Sequence, residues 1–490
     1  MSQHAVPIVT FPWSTNDPAH RFTVYNPVNG KPYKEVQGCS AKEVDECVRA
    51  ADKAFNEHWR WLLPQERGRI LKQVSAKLLE HAEEIAELET MEVGKPLHIS
   101  RADTRRCAEA FEFFGGLVGN LPTDMFELGP VNAMIFAEPF GVVAGIVPFN
   151  WPPLHTGAKI APALAAGNTI VIKPGDQAPL SVMKIIEVAQ SVLPPHVLEV
   201  VVGPGLETGK ALTSHPLVRK VSFTGSDISG RAVMKQIADN LTPSVMELGG
   251  KNALIALPGC NIDKAVSLGF EGAFFNNGAA CTATSRLLVH RSQYDEFVEK
   301  MSAMIRRTRL GDGMDPKTHV GPMVTQAHQQ KVLEYIEIGK SEGAKLVVQG
   351  DLPTDPEMQN GYFVAPTLFG EVTRDMRIAR EEIFGPVACV MPYDTEEEAV
   401  SITNGTDFGL ITVLVTDDHS QAMRMTRQLD VGVVYINNFY RLGPQCVPFG
   451  GNKASGFGRE RYYETLMEFS RTKTVRIPSG LGDIPVWDLK

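Results

Sequence analysis

Val142-Val143-Ala144-Gly145-Ile146-Val147, closed by Pro148, is an unbroken apolar run. A strand with one face in water alternates polar and apolar side chains; a strand covered on both faces does not. The run therefore reads as a buried parallel strand. Leu154 to Ala166 follows as an apolar, alanine-rich helix, and Thr169-Ile170-Val171-Ile172-Lys173-Pro174 as a second buried strand. The alternation continues with helix 179–192, strand 198–202, helix 206–213, strand 220–223 and helix 229–239. This order predicts an α/β fold with a doubly wound sheet and helices on both of its faces.

Working outward, residues 42–56, 65–92 and 100–118 carry apolar side chains at helical spacing. After Gly250 the α/β pattern restarts. Strand 252–257, helix 263–280 and strand 285–290 are followed by helices 293–308 and 325–342. Strands at 386–391, 411–415 and 432–437 complete a second α/β unit. Asn132 to Glu138 and Thr472 to Ile477 read as strands remote from both sheets. Such strands pair with another subunit or pack on their own chain, and the pattern leaves both open.

The chain has 490 residues, 43% hydrophobic and 21% charged, with a net charge of −9. That length calls for two or three domains. The acidic balance, without any long Lys/Arg run, excludes a nucleic-acid surface. The least charged stretch, Pro139 to Ala158, is broken by prolines and glycines, which argues against a membrane span. Pro7, Pro12 and Pro18 interrupt the N-terminus, which lacks a leader pattern. Seven scattered cysteines without a CxxC pair predict reduced thiols in a cytoplasmic compartment, with no disulfide framework and no metal site.

One cysteine stands apart. In Phe274-Phe275-Asn276-Asn277-Gly278-Ala279-Ala280-Cys281-Thr282 it follows small residues that leave room for a carbonyl beside the sulfur. A lone acid, Glu247, sits in Met246-Glu247-Leu248-Gly249-Gly250-Lys251. A thiol must lose its proton to attack, and a carboxylate can take a proton or activate water. Most cysteines are small buried hydrophobes, so the pair alone decides little. Phe223-Thr224-Gly225-Ser226 ends a strand, turns and opens a helix, as an anion-binding turn does, although ordinary glycine turns look the same. In Ile172-Lys173-Pro174-Gly175-Asp176 a lysine ends a buried strand and an acid follows, fit for a ribose or merely a surface turn. Asn150, in Pro148-Phe149-Asn150-Trp151-Pro152, is either a rigid amide donor for an oxyanion or a helix cap. Glycine-rich loops at 381–386 and 448–460 carry acids and aromatics.

These motifs, in this order, resemble the aldehyde dehydrogenase superfamily, of the NAD(P)-dependent, hydrolytic (non-acylating) type, over nearly the whole chain. The resemblance implies a dinucleotide-binding domain at 1–122 and 142–249, a catalytic domain at 250–469, and an oligomerisation arm at 123–141 and 470–490. It implies a homodimer or homotetramer. Cys281 is then the nucleophile that forms a thiohemiacetal and later a thioester, Asn150 part of the oxyanion hole, and Glu247 the base that activates the hydrolytic water. NAD, or NADP, would lie along Val147, Pro148, Phe149, Trp151, Lys173, Asp176, Gly205, Phe223, Thr224, Gly225, Ser226, Leu248, Gly249, Glu382 and Phe384. Trp151, Phe275, Phe439 and Phe449 would line the substrate pocket.

Three positions depart from the family pattern. Ala279 stands where glutamine is usual, Asp176 where glutamate is usual, and Phe408 where tyrosine is usual. A carboxylate at 176 still repels a 2′-phosphate, which favours NAD, although its shorter reach leaves room for NADP. The segment from Cys281 to Arg286 is similar to that of betaine and amino-aldehyde members, yet Ala158 and Phe449 thin the aromatic cage such members use. The expected substrate is a medium-sized, uncharged aliphatic or aromatic aldehyde. A betaine, amino-aldehyde or semialdehyde dehydrogenase is the alternative enzyme. A non-catalytic relative is the alternative class.

Overall fold

The computed structural model describes residues 6–120, 123–440 and 445–484. Two large sheets organise it. The first runs, in spatial order, Gly456–Phe457, Ser244–Glu247, Val218–Thr224, Val142–Val147, Thr169–Pro174, Leu198–Val200. All neighbours are parallel except Gly456–Phe457, which returns antiparallel and sets Gly456 opposite Glu247. The second runs Lys345–Gln349, Thr367–Gly370, Val387–Tyr393, Arg286–His290, Ala253–Ala256, Ile411–Val415, Val433–Ile436, with only the first strand antiparallel.

The absence of polar residues from Val142–Val147 now has its cause. Val143 and Val147, with Ile170 and Ile172, pack into a core shared with Leu71, Phe111, Ile160 and Ile185 from four helices. Val142, Ala144 and Val171 point the other way, onto Val44, Val48, Val233 and Ile237. Neither face meets water, so every position is apolar. Each such side chain contributes about 1.5–3 kcal/mol of burial. The second sheet divides likewise, with Leu254 and Leu287 in one core and Ile255 and Leu288 in the other.

The two stray strands pair with each other. Ser470–Pro478 runs antiparallel to Val131–Pro139, and Asp124–Glu127 takes the far edge of that small sheet.

The helices differ from the expected ones in two places. Residues 65–92 form two helices, Pro64–Glu80 and Ala82–Val93, with the break at His81. No proline or glycine marks the break, because both halves keep helical spacing. The break lets Glu92 accept from the backbone N–H groups of Leu180 (2.7 Å) and Ser181 (2.9 Å), closing the start of helix Leu180–Gln190. Helix 263–280 ends early, at Phe274. Asn276 (φ 53°), Asn277 (φ 60°) and Gly278 (φ 71°) are left-handed, a conformation that Asn and Gly tolerate best.

Strand order fixes where a ligand can enter. From Val142–Val147 the chain moves outward to Thr169–Pro174 and Leu198–Val200, then returns to the other side at Val218–Thr224. The crevice beyond the carboxyl ends of Val142–Val147 and Val218–Thr224 is therefore a topological switch point, where open α/β sheets bind ligands.

Gly278 has no room for a side chain, since a Cβ there would lie 2.4 Å from the carbonyl carbon of Gly385. Gly278→Ala should destabilise the fold by roughly 2 kcal/mol or more through strain and overlap. A thermal-unfolding midpoint equal to the parent's would contradict this.

Candidate active site

Two cavities meet at the switch point and share Cys281 and His155. The larger, about 350 Å³, is walled by Pro148, Phe149 and Asn150 from one strand end and by Thr224, Gly225 and Ser226 from the next. Leu248, Gly249, Glu382 and Phe384 close it. The smaller, about 40 Å³, is a cleft between Trp151, Phe275, Tyr435 and Phe449, with Thr282, Glu460 and Arg461 on its wall.

The left-handed turn sets the cysteine between them. Asn277 anchors it, accepting from Gly321 N (2.6 Å) and donating to the Pro322 carbonyl (2.9 Å). Asn276 donates to the carbonyls of Asn150 (3.1 Å) and Ala279 (3.0 Å). Asn150 does not cap the helix that follows: Pro152–Ala165 has no side-chain cap. Its amide instead donates to the Ala279 carbonyl at 3.1 Å, which fixes it beside the cysteine segment. At position 279 it is thus the backbone oxygen that is used, and this contact needs no longer side chain.

The wall of the large cavity suits a polyanion with hydroxyls. Ser226 caps helix Asp227–Ala238 by accepting from Ser229 N (3.2 Å), and the helix presents its positive end there. The buried hydroxyl of Thr224 has no partner. Glu382 packs on the bare backbone of Gly249, where a Cβ would lie 2.3 Å from its carboxylate, and accepts from Gly250 N at 2.9 Å. Burial pushes the Glu382 carboxyl up to about 7. Phe149 meets Phe384 edge-on at 5.8 Å, and Phe384 takes a positive φ of 63°.

Glu247 lies at the end of its strand, level with Thr224. It is buried and neither carboxylate oxygen has a partner. Gly450 lies against it: a Cβ there would come within 2.8 Å of Glu247 Oε1. Burial first, then the negative charge of Glu460, push the Glu247 carboxyl well above the usual carboxylate range.

Several expected residues lie off the cavity walls. Val147 is buried in the sheet core, and Phe223 packs in the opposite core. Lys173 and Asp176 form a 2.6 Å ion pair in the turn after their strand. Gly205 opens the exposed turn Gly205–Gly209. Trp151 lines the cleft rather than the larger cavity, and Phe439 is buried behind it, 5.4 Å from Tyr435.

Some residues in and behind the walls escaped sequence reading. Lys159 bonds Glu460 (2.8 Å) and Ser222 (3.0 Å) inside the core. Its signal was a lone charge in an apolar helix. His328 Nε2 donates to the Phe384 carbonyl (2.7 Å) and its ring meets Phe149 edge-on, and burial pulls it down to about 4. Nothing in its local sequence marks it. Among the described residues no cluster of His, Cys, Asp or Glu is placed to hold a metal.

The thiols differ sharply in access. Burial pushes Cys39 and Cys107 up to about 12 and Cys260 and Cys389 up to about 11, and raises Cys47 well above its ordinary value. Cys281 is part-exposed and Cys446 exposed. Brief iodoacetamide treatment of the native protein should label Cys281 and Cys446 alone by peptide mass spectrometry. Equal labelling of the buried five would refute the packing described.

Comparison with known proteins identifies the family. A family model described as the aldehyde dehydrogenase family matches residues 13–475. Aldehyde dehydrogenase citD of Monascus ruber is 48% identical over 486 residues, 99% of this chain and 96% of that protein. A crystal structure of betaine aldehyde dehydrogenase from Staphylococcus aureus in complex with NAD+ superposes with a TM-score of 0.92 at 33% identity, covering 96% of this chain and 94% of that one. PnpE in complex with nicotinamide adenine dinucleotide superposes with a TM-score of 0.92 at 36% identity, covering 98% and 97%. The resemblance carried by the ordered motifs holds over the whole fold, and the chain belongs to the aldehyde dehydrogenase family.

Proposed function

We propose that this enzyme oxidises a medium-sized aliphatic or aromatic aldehyde to its carboxylic acid, with NAD as the preferred cofactor. The observation that carries the reading is the meeting of two unlike cavities at Cys281, a larger one that carries a helix start and the Glu382 carboxylate and a smaller one walled by aromatic rings. The larger offers what a dinucleotide needs: a helix N-terminus, an unpartnered Thr224 hydroxyl and the Glu382 carboxylate. NAD bound there supplies the hydride acceptor.

The chain's own groups do the rest. The Cys281 sulfur attacks the aldehyde carbon, forming a C–S bond and an oxyanion. The Asn150 amide and the Cys281 backbone N–H stabilise that charge. After oxidation the acyl group is a thioester on Cys281. Glu247 takes a proton from water, the oxygen adds to the thioester carbon, and the Cys281 thiolate leaves with the free acid formed. Lys159 holds Glu460 ionised, and that fixed negative charge keeps Glu247 a willing proton acceptor. A CoA-acylating relative needs no such base, so Glu247 favours hydrolysis.

Asp176, held by Lys173, presents a carboxylate where a ribose 2′-phosphate would be repelled. The same reading takes 1–122 with 142–249 as the dinucleotide-binding domain and 250–469 as the catalytic domain. The strand Gly456–Phe457 tethers the two by joining the first sheet. The small sheet of Val131–Pro139 and Ser470–Pro478 serves as the arm of a homodimer or homotetramer. Its edge strand exposes Met125 and Phe126, which a partner subunit would cover. No helix among the described residues is long and apolar enough to cross a membrane, and the reduced cysteines fit the cytoplasm.

Cys281→Ala should abolish NADH production while leaving NAD binding intact by calorimetry; retained turnover would sink the nucleophile assignment. Because the Glu247 carboxyl is raised, its ionised fraction grows as pH rises above the ordinary carboxylate range. In steady-state assays kcat should climb with pH on that limb. Glu247→Gln should flatten the limb and expose a pre-steady-state NADH burst. Equal slowing of hydride transfer and hydrolysis would contradict the base role.

A further inference from the structure

The cleft beside Cys281 contains buried polar atoms that the proposed mechanism does not use. His155 is buried with both ring nitrogens unpartnered. The Thr282 hydroxyl, on the same cleft, is likewise buried without a partner. Buried polar groups are nearly always hydrogen-bonded, and an unmade bond costs about 1–3 kcal/mol. Two such residues on one small cleft point to a guest that supplies the missing bonds.

The charges around His155 indicate what kind of guest. Lys159, Arg461 and Lys95 face it as cations, against Glu460 as the anion. Asp103 and Glu89 are held by Lys95 at 2.8 and 2.6 Å. Burial pulls His155 down to about 3, so the ring stays neutral, with one nitrogen able to donate and one able to accept. An accepting nitrogen needs a guest that carries a donor, which a hydroxyl supplies and a carboxylate does not. The aromatic faces are unsuited to a cationic head group. Arg461 already lies over Phe449 at 5.1 Å and Lys95 over Trp151 at 5.8 Å. The rings of Trp151, Phe275 and Phe449 wall the cleft and offer aromatic surface for a ring to pack against.

We propose that His155 is a specificity-determining residue and that the substrate class is an aromatic aldehyde bearing a ring hydroxyl, hydrogen-bonded by His155. The proposal rests on the reading of Cys281 as the nucleophile of an aldehyde oxidation, and it narrows the aliphatic-or-aromatic class to one kind of molecule. Trp151 stands beside the imidazole, their rings 6.4 Å apart, and His155 and Cys281 line the same cleft.

The test measures kcat/KM with NAD for benzaldehyde, its 2-, 3- and 4-hydroxy derivatives, hexanal and betaine aldehyde. The parent protein is compared with His155→Leu and His155→Gln. The best hydroxybenzaldehyde should exceed benzaldehyde by roughly tenfold or more in the parent. That ratio should fall towards one in His155→Leu and recover in part in His155→Gln, which keeps a donor and an acceptor. A ratio is unaffected by a general loss of folded enzyme. A ratio near one in the parent, a ratio unchanged by His155→Leu, or a preference for hexanal or betaine aldehyde overturns the proposal while leaving the aldehyde oxidation standing. Failure to oxidise any of the six aldehydes removes the oxidation itself.

Discussion

The site depends on one close backbone approach. Gly278 lies against Gly385 and Pro386 so tightly that a methyl group would overlap the carbonyl. That contact requires the left-handed run from Asn276 to Gly278, which ends the preceding helix and lifts Cys281 out of the core. It also joins two segments remote in sequence. The loop carrying Glu382 and Phe384 is pressed against the loop carrying the cysteine. The side chains of Asn276 and Asn277 then tie the turn to Asn150 and to Gly321 and Pro322. Each residue in the turn serves one geometry: Asn tolerates the left-handed backbone and offers an amide, while Gly permits contact.

Electrostatics follow from the same enclosure. Glu247 has no hydrogen-bond partner and faces the negative charge of Glu460, so its proton is held more tightly than usual. Lys159 keeps Glu460 charged although it is buried, with His155 and Arg461 also beside it. An isolated buried carboxylate would simply stay neutral. The cations near it lower the cost of ionisation enough for the group to exchange protons. The same cations and the same Glu460 act on the neighbouring cleft, where they surround a neutral imidazole.

Much of this was legible along the chain. The unbroken apolar strands announced a sheet covered on both faces, because a water-facing side would have needed polar residues. The ordered motifs singled out Cys281, Glu247 and Asn150. Other features were invisible for physical reasons. The break at His81 carries no helix-breaking residue, and the bonds that Glu92 accepts from a helix start far along the chain leave no mark in the local pattern. The early end at Phe274 was missed because Asn276 and Asn277 are only permissive of a left-handed turn, and contact with Gly385 selects it. Lys173 and Asp176 look like free ligands in sequence, yet in space they hold each other.

By itself, then, the sequence determined the α/β class, the two sheets and the residues proposed to react. Those follow from local periodicity and from side-chain chemistry, which each residue carries with it. Tertiary structure alone decided that Asn150 turns to the cysteine segment instead of capping its helix. It decided as well that Glu460 and Lys159 stand behind Glu247, and that His155 faces a cleft with its ring nitrogens unmatched. Burial and the partners a side chain finds depend on segments hundreds of residues apart, and no local pattern encodes them.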